Sequence, residues 1–332
     1  MNLASFLRMY HQLSGEHGPQ LEAIRQQIAR KLWLAGLACA AIAILILLSP
    51  LRVFIFHIIA LMLPAFFGYM YHLKRPYVLY FRENVAKSFV AMVDPNLSYS
   101  PEPAGNWHNW LLNQYHIACF DGSSRGGYAR EMIPVDTRGS PGLSNFITGE
   151  IEGRPFQLCC MSLTGAGNDK TKFKGLFVSM LASKNLKGFI KVQRKIRGIN
   201  MFGSTFIPGA EIQKMDNAAF EKDFFVGSND QITAMQYLTA DVMELLLNFK
   251  NELIDIQTRF NRNLFPQNPN LISLDLFWQG YEVLMRIGNK KMFKPTMRDP
   301  MCKDSLACCL SSLTFATRLN HVITKSINET AI

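Results

Sequence analysis

The chain contains no Cys-x-x-Cys and no His-Glu-x-x-His, and its seven cysteines follow no secreted disulfide pattern. The first two absences remove the common structural-zinc and zinc-hydrolase arrangements. Four of the cysteines stand as adjacent pairs, Cys159-Cys160 and Cys308-Cys309, and neighbours bond to one another only with strain. Reduced thiols in a reducing compartment are therefore expected. Charge is scarce, at 18% of 332 residues, while hydrophobic residues reach 48% with 24 Phe and 16 Met. Such a chain is not disordered and is long enough to bury a large core. It has no internal repeat and no low-complexity tract.

What is present is unevenly spread. Leu32 to Ser49 holds no charge, Pro50-Leu51-Arg52 interrupts it, and a second apolar run extends from Val53 to Tyr71. Each run reaches the roughly 17–20 residues that a spanning helix needs. Water-soluble helices seldom lack a polar face over such a length. Arg25, Arg30 and Lys31 precede the pair, and Lys74, Arg75, Arg82 and Lys87 follow it, against Arg52 alone between them. The excess of cations at the outer ends predicts a two-helix transmembrane hairpin with both termini in the cytoplasm. Trp33, Tyr69 and Tyr71 then sit at the cytoplasmic interface. His57 lies inside the second run, about a turn beyond Arg52, where a snorkelling ring is the simpler reading.

Leu3, Phe6, Tyr10 and Leu13 predict a short amphipathic helix before the hairpin, broken at Gly18-Pro19. After the hairpin, Phe81, Val85, Phe89 and Met92 continue a helix until Asp94-Pro95 stops it. The expected organisation is 1–31 N-terminal helices, 32–73 hairpin, 74–106 helix and linker, and 107–332 a cytoplasmic α+β domain.

Within that domain Phe146–Ile151 and Phe156–Leu163 read as a β-hairpin turning through Glu152-Gly153-Arg154-Pro155. Phe173–Met180 and Gly188–Val192 read as two further strands parted by the polar stretch Ser183–Lys187. Leu253–Phe260, Ser273–Phe277 and Tyr281–Ile287 are also strand candidates. Met235, Leu238, Val242, Leu245, Leu246 and Phe249 mark one helix face; Leu306, Leu310, Leu313, Leu319 and Ile323 mark another. Strands grouped apart from helices predict a mixed antiparallel sheet with helices rather than an alternating parallel one.

The order of these features resembles the bacterial family catalogued as domain of unknown function 3137, sometimes labelled galanin-like. The stretches that carry the resemblance are Phe146–Ile151, Thr171–Val178, Met215–Leu247 and Gly280–Pro295. The chain departs from the family at Leu238-Thr239-Ala240, where a Leu-Thr-Pro helix start is common, and in a longer tail beyond Arg298. The resemblance implies a membrane-anchored domain and, as partner, a LemA-type membrane protein. It brings no activity and no catalytic residues.

Chemistry is hard to find. Gly122-Ser123-Ser124-Arg125-Gly126 fits the nucleophile-elbow pattern, but His321 is the only later histidine, so a polar loop is the simpler account. A membrane-bound hydrolase using Ser124 is the alternative reading. Gly165–Thr171 looks like a phosphate loop, yet Asp169 stands where that loop has Gly, and its carboxylate would repel phosphate. His116 and Cys119 lie close together without a second ligand pair. No catalytic residue, metal site or cofactor is assigned.

The charge distribution says more. Lys170, Lys172, Lys174, Lys184, Lys187, Lys191, Arg194, Lys195 and Arg197 fall in one span without an acid, against a chain total of +10. If Phe189–Ile196 is a strand, Lys191, Gln193 and Lys195 share a face opposite Ile190 and Val192, with Arg194 a misfit on the apolar side. Two readings stand: an anion-binding face, or an edge strand whose lysines discourage aggregation. The expected function is a membrane-anchored binding or scaffold protein. Its partners would be membrane lipids, through anionic headgroups, or an acidic membrane protein. A nucleic-acid partner is not expected, for the span lacks interleaved aromatics.

Overall fold

The computed structural model describes residues 3–48, 55–102, 142–164, 171–195, 211–259, 274–288, 293 and 301–330. Helix α1 (Leu3–Leu48) runs without a break through Gly18-Pro19, contrary to the expected division into two helices. Pro19 removes a single backbone donor, and the burial of Phe6, Leu13, Leu21 and Ile28 on one side holds the helix across it. Helix α2 (Ile55–Tyr80) passes into a π-helical turn (Phe81–Ala86) and then α3 (Lys87–Val93), so the chain stays helical until Asp94. The side chain of Asp94 accepts the N–H of Asn96 at 2.9 Å, which ends the helix where Asp94-Pro95 predicts.

The two helical segments lie antiparallel. Nδ1 of His17 is 3.3 Å from the Tyr80 hydroxyl, Nε2 is 3.4 Å from Ser88 Oγ, and Tyr80 donates to Gln20 Oε1 at 2.9 Å. As numbering rises on one helix it falls on the other. Tyr77, Phe81, Val85 and Phe89 are buried with Phe6, Leu13, Leu21 and Ile28 in the same core.

Among the described residues, seven strands form one antiparallel sheet: β1 (Leu97–Ser100), β2 (Gly142–Ile151), β3 (Arg154–Thr164), β4 (Thr171–Arg194), β5 (Glu211–Gln213), β6 (Phe224–Ser228) and β7 (Leu274–Gly288). The β2–β3 hairpin turns at Glu152-Gly153, as the sequence predicts. The expected strands either side of Ser183–Lys187 are one strand of 24 residues, and the candidates Ser273–Phe277 and Tyr281–Ile287 fall, from Leu274 on, in one strand as well. Strand β4 is central, not an edge. One side takes β3 along its first half and β6 along its end, while β7 runs the length of the other side.

This long β4–β7 ribbon is bent double. Asp275 and Arg286 are eleven positions apart on β7, which in a straight strand would separate them by about 36 Å. Their side chains nevertheless form an ion pair, with Arg286 Nε donating to Asp275 Oδ2 at 2.8 Å. The bend lies where the β4–β7 register slips, between Leu181 and Phe189. Gly188 has φ +106° and Gly280 φ +59°, conformations an L side chain rarely adopts. A Cβ on Gly188 would fall 2.4 Å from Asn229 Oδ1.

Helices cover one face of the sheet: α4 (Ala218–Asp223), α5 (Gln231–Tyr237), α6 (Ala240–Arg259) and α7 (Lys303–Thr330). The helix face read from Met235 to Phe249 is shared by α5 and α6, parted at Leu238-Thr239. The strand expected at Leu253–Phe260 is helix as far as Arg259, where the described residues end. Leu246, Phe249, Leu253 and Ile256 keep helical spacing, and their burial extends α6 to Arg259. Phe249 of α6 stacks on Phe315 of α7 with centroids 4.3 Å apart. The architecture is thus α+β, with an antiparallel sheet, helices on it, and one long apolar N-terminal helix.

Candidate functional site

Two features of this fold bear on function: the exposed end of the helical pair and the corner where β4 meets α4. Along α1 the burial pattern changes after Lys31. Before it, every seventh residue or so is buried; after it, Trp33 is 67% exposed, Leu45 67% and Leu48 81%. On α2, Leu63, Phe67 and Tyr71 are exposed in the same way. Leaving a large apolar side chain in water forgoes roughly 1.5–3 kcal/mol each. Among the described residues, α1 is the one helix long and apolar enough to cross a membrane.

Among the described residues, the basic span does not make one face. Strand alternation puts Lys174 and Arg194 on the helix-covered side, with Leu176, Val178, Ile190 and Val192. Lys191 and Lys195 lie on the other side, with Phe189, Phe225 and Phe277. Lys191 is buried, as is Arg194; Lys174 and Lys187 are exposed, at opposite sides of the bend. Lys172 and Lys184 belong to β4, but their side chains, like Lys170 and Arg197 altogether, lie outside the described residues. The alternation expected for Lys191, Gln193 and Lys195 is present. The exposure is not, because β6 and β7 flank this part of β4 and the ribbon folds over on itself.

The end of β4 gathers several of these charges. Arg194 pairs across the sheet with Phe224, the first residue of β6, and α4 ends directly before it at Asp223. Lys195 donates its backbone N–H to the Asp223 carbonyl at 2.7 Å. Its ammonium donates to the carbonyl of Glu221 and sits 4.3 Å over the Phe225 ring. Lys250 of α6 pairs with the Asp223 carboxylate at 2.5 Å. Burial pulls the Arg194 pKa below the usual guanidinium value, and the Asp223 charge opposes that pull. Asp223 and Lys250 were not singled out by sequence: they are ordinary helix residues 27 positions apart, and no local pattern joins them.

A second polar cluster joins the helical pair to the sheet. Tyr99 of β1 donates to Asn145 Oδ1 at 2.8 Å, and Asn145 holds φ +56° at an irregularity in β2. Beside it, burial pushes the Cys160 thiol up to about 12, against smaller lowering effects from Asn145, Arg82 and Lys174. The thiols of Cys159 and Cys309 are raised by burial too. Cys159 and Cys309 are buried and Cys160 is partly buried against the same core. A thiol raised on folding stabilises fully below the unfolded value of about 8.5, and that stability is lost as pH climbs toward the folded value. The thermal midpoint should therefore fall between about pH 8.5 and about pH 11 less steeply for Cys160→Ala than for the unaltered chain. Parallel pH profiles for the two proteins would contradict this.

Ser124, His116 and Cys119 lie outside the described residues, as do Gly165–Lys170. Among the described residues no three His, Cys, Asp or Glu side chains gather as a metal site. His321 stands 3.7 Å from Glu152 at the surface.

Residues 171–265 match the family model described as "Protein of unknown function (DUF3137)". Two of the four stretches behind the resemblance, Thr171–Val178 and Met215–Leu247, fall inside that match. No curated protein matches the chain. A solved structure with a similar course is the crystal structure of the mycobacterial trehalose monomycolate transport factor A, TtfA. It shows 9% identity and a TM-score of 0.37 over 72% of this chain and 92% of that one.

Proposed function

We propose that this chain, whose residues 171–265 carry a domain of unknown function, is a membrane-anchored binding protein. The observation that carries the reading is the change on α1 at Lys31, from a helix with one buried stripe to a charge-free helix whose apolar side chains face outward. Lipid is the solvent that such a surface requires. The antiparallel course of α1 and α2, together with the exposed Leu63, Phe67 and Tyr71, supports a second span and a hairpin. Seven cations outside the hairpin and Arg52 within its turn favour cytoplasmic termini at the inner membrane.

In this reading the α+β domain stands close to the anionic leaflet and works by binding, as an anchor or scaffold for a partner. Contact with headgroups falls to Lys174 and Lys187 rather than to Lys191 and Arg194, which are buried. Each cation near the surface contributes about 1 kcal/mol, so two exposed lysines orient the domain weakly and an acidic protein partner has more to offer.

Topology reporters test the anchor. A fluorescent protein at the C-terminus should mature in the cytoplasm, while alkaline phosphatase fused after Leu51 should be active in the periplasm. A periplasmic C-terminus would show one span in place of two and sink the hairpin.

A further inference from the structure

The exposed apolar end of the helical pair is bounded by positive charge. Gln20 of α1 stands level with Tyr80 of α2, whose hydroxyl donates to it at 2.9 Å. The helices run antiparallel, so a step of eleven residues from Gln20 reaches Lys31, and the same step back from Tyr80 reaches Tyr69. Trp33, Tyr69 and Tyr71 are exposed near this level, where amphipathic rings would gather at a membrane boundary. Arg30 and Lys31 are exposed beside them. On α2, half-buried Lys74 and exposed Arg75 follow within about 9 Å along the axis, inside one Debye length of that level.

No acid close by on the two helices opposes these four charges. Residues 23 to 48 contain none, and neither do residues 55 to 82. Glu22, just before the first stretch, is held by Arg25 at 2.7 Å. Among the described residues, the side chains of Arg30, Lys31, Lys74 and Arg75 make no hydrogen bond and no ion pair. Long basic side chains at the end of an apolar helix lay their stems along it and carry the charge outward.

We infer that Arg30, Lys31, Lys74 and Arg75 form a collar that binds anionic phospholipid headgroups where the helical pair leaves the membrane. The inference rests on the membrane anchor proposed above and names the lipid that this anchor selects. Headgroup phosphates supply the negative charge that the helices lack, and a basic cluster directly beside a span is the arrangement that collects acidic lipid. One cation at the surface favours acidic over neutral lipid by about fivefold. Four of them on two adjacent helices outweigh the exposed Lys174 and Lys187 of the domain.

Trp33 lies beside the collar and reports on it. The full-length protein is placed in nanodiscs of phosphatidylcholine with a minor share of phosphatidylglycerol, a matched amount of one lipid or the other carrying bromine. The Trp33 emission is the difference between the unaltered chain and Trp33→Phe. Bromine on phosphatidylglycerol should quench it at about one-fifth or less of the amount needed on phosphatidylcholine. Lys74→Gln with Arg75→Gln should close most of that gap, while Lys74→Arg with Arg75→Lys keeps it and so separates charge from folding. Lys174→Gln with Lys187→Gln should leave the gap unchanged. Equal quenching by the two lipids overturns the collar and leaves the anchor standing. Loss of the gap in the Lys174 and Lys187 variant overturns it too, since the domain would then hold the lipid. Absence of quenching by either lipid refutes the anchor itself.

Discussion

Replacing Asp275 by Ala should cost about 3–5 kcal/mol of unfolding free energy, the range for breaking one partner out of a buried ion pair. The carboxylate side chain is 3% exposed and the Arg286 side chain 15%, so water is poorly placed to solvate the guanidinium left behind. Both Nε and Nη2 of Arg286 reach the same oxygen, Asp275 Oδ2. The loss also has a topological part, because this pair ties the two arms of a ribbon that is folded at its middle. Replacing both residues, as Asp275→Leu with Arg286→Met, should recover part of the loss, for the guanidinium is then no longer buried without its carboxylate. Denaturant unfolding of the purified protein measures both. A single mutant within about 1 kcal/mol of the unaltered chain would place this pair among weak surface contacts and refute the account.

A comparable loss, about 3–5 kcal/mol, is expected for Trp278→Ala. The indole is 2% exposed and meets the Tyr237 ring edge-on with centroids 4.9 Å apart. Its Nε1–H donates to the Gly280 carbonyl at 3.2 Å, on the far side of the bend. Tyr237 in turn donates to the Asn185 carbonyl of β4 at 2.9 Å, so one aromatic pair grips both strands where they turn. Trp278→Phe keeps a ring and loses the hydrogen bond, and should cost about 1–2 kcal/mol, combining that bond with a small cavity. Equal effects of Ala and Phe would show that the hydrogen bond, not the packing, holds the bend.

Local pattern made part of this fold legible. The β2–β3 hairpin shows in alternating Phe146–Ile151 and Phe156–Leu163 around Glu152-Gly153, and Asp94-Pro95 marks the helix end, because turn chemistry lies within a few residues of what it ends. Ser183–Lys187 reads as a turn between strands, since its residues are polar and Gly188 follows. In the structure the chain bends there but keeps its partner β7, some hundred positions later in sequence, and that pairing cannot be seen locally. Leu253–Phe260 looked like a strand because Leu253, Ile254 and Ile256 nearly alternate. The buried stripe begun at Leu246 and Phe249 overrides that short pattern.

The charge of the basic span was readable by counting; its face was not. Counting treats Lys191 and Arg194 as free surface, whereas burial is decided by what β6, β7, α4 and α6 bring from elsewhere. Arg194 did show as a misfit on the apolar side of its strand, and that misfit marks the corner where it meets Asp223. Asp275 and Arg286 carried a similar mark, single charges within Leu274–Trp278 and Leu284–Ile287.

The helix that begins at Ile55 runs through Pro64, Pro76 and a π turn and reaches Asp94 without a loop. A π turn winds more residues per turn than an α-helix, so it resets which side chains face inward without adding a joint. Phe81, Val85 and Ala86 within it, and Phe89 and Val90 after it, are all buried in the core shared with the sheet. The segment therefore acts as a stiff shaft rather than a tether. Bending is left to Pro64 and Pro76, so the helix moves with the sheet only from its buried part onward.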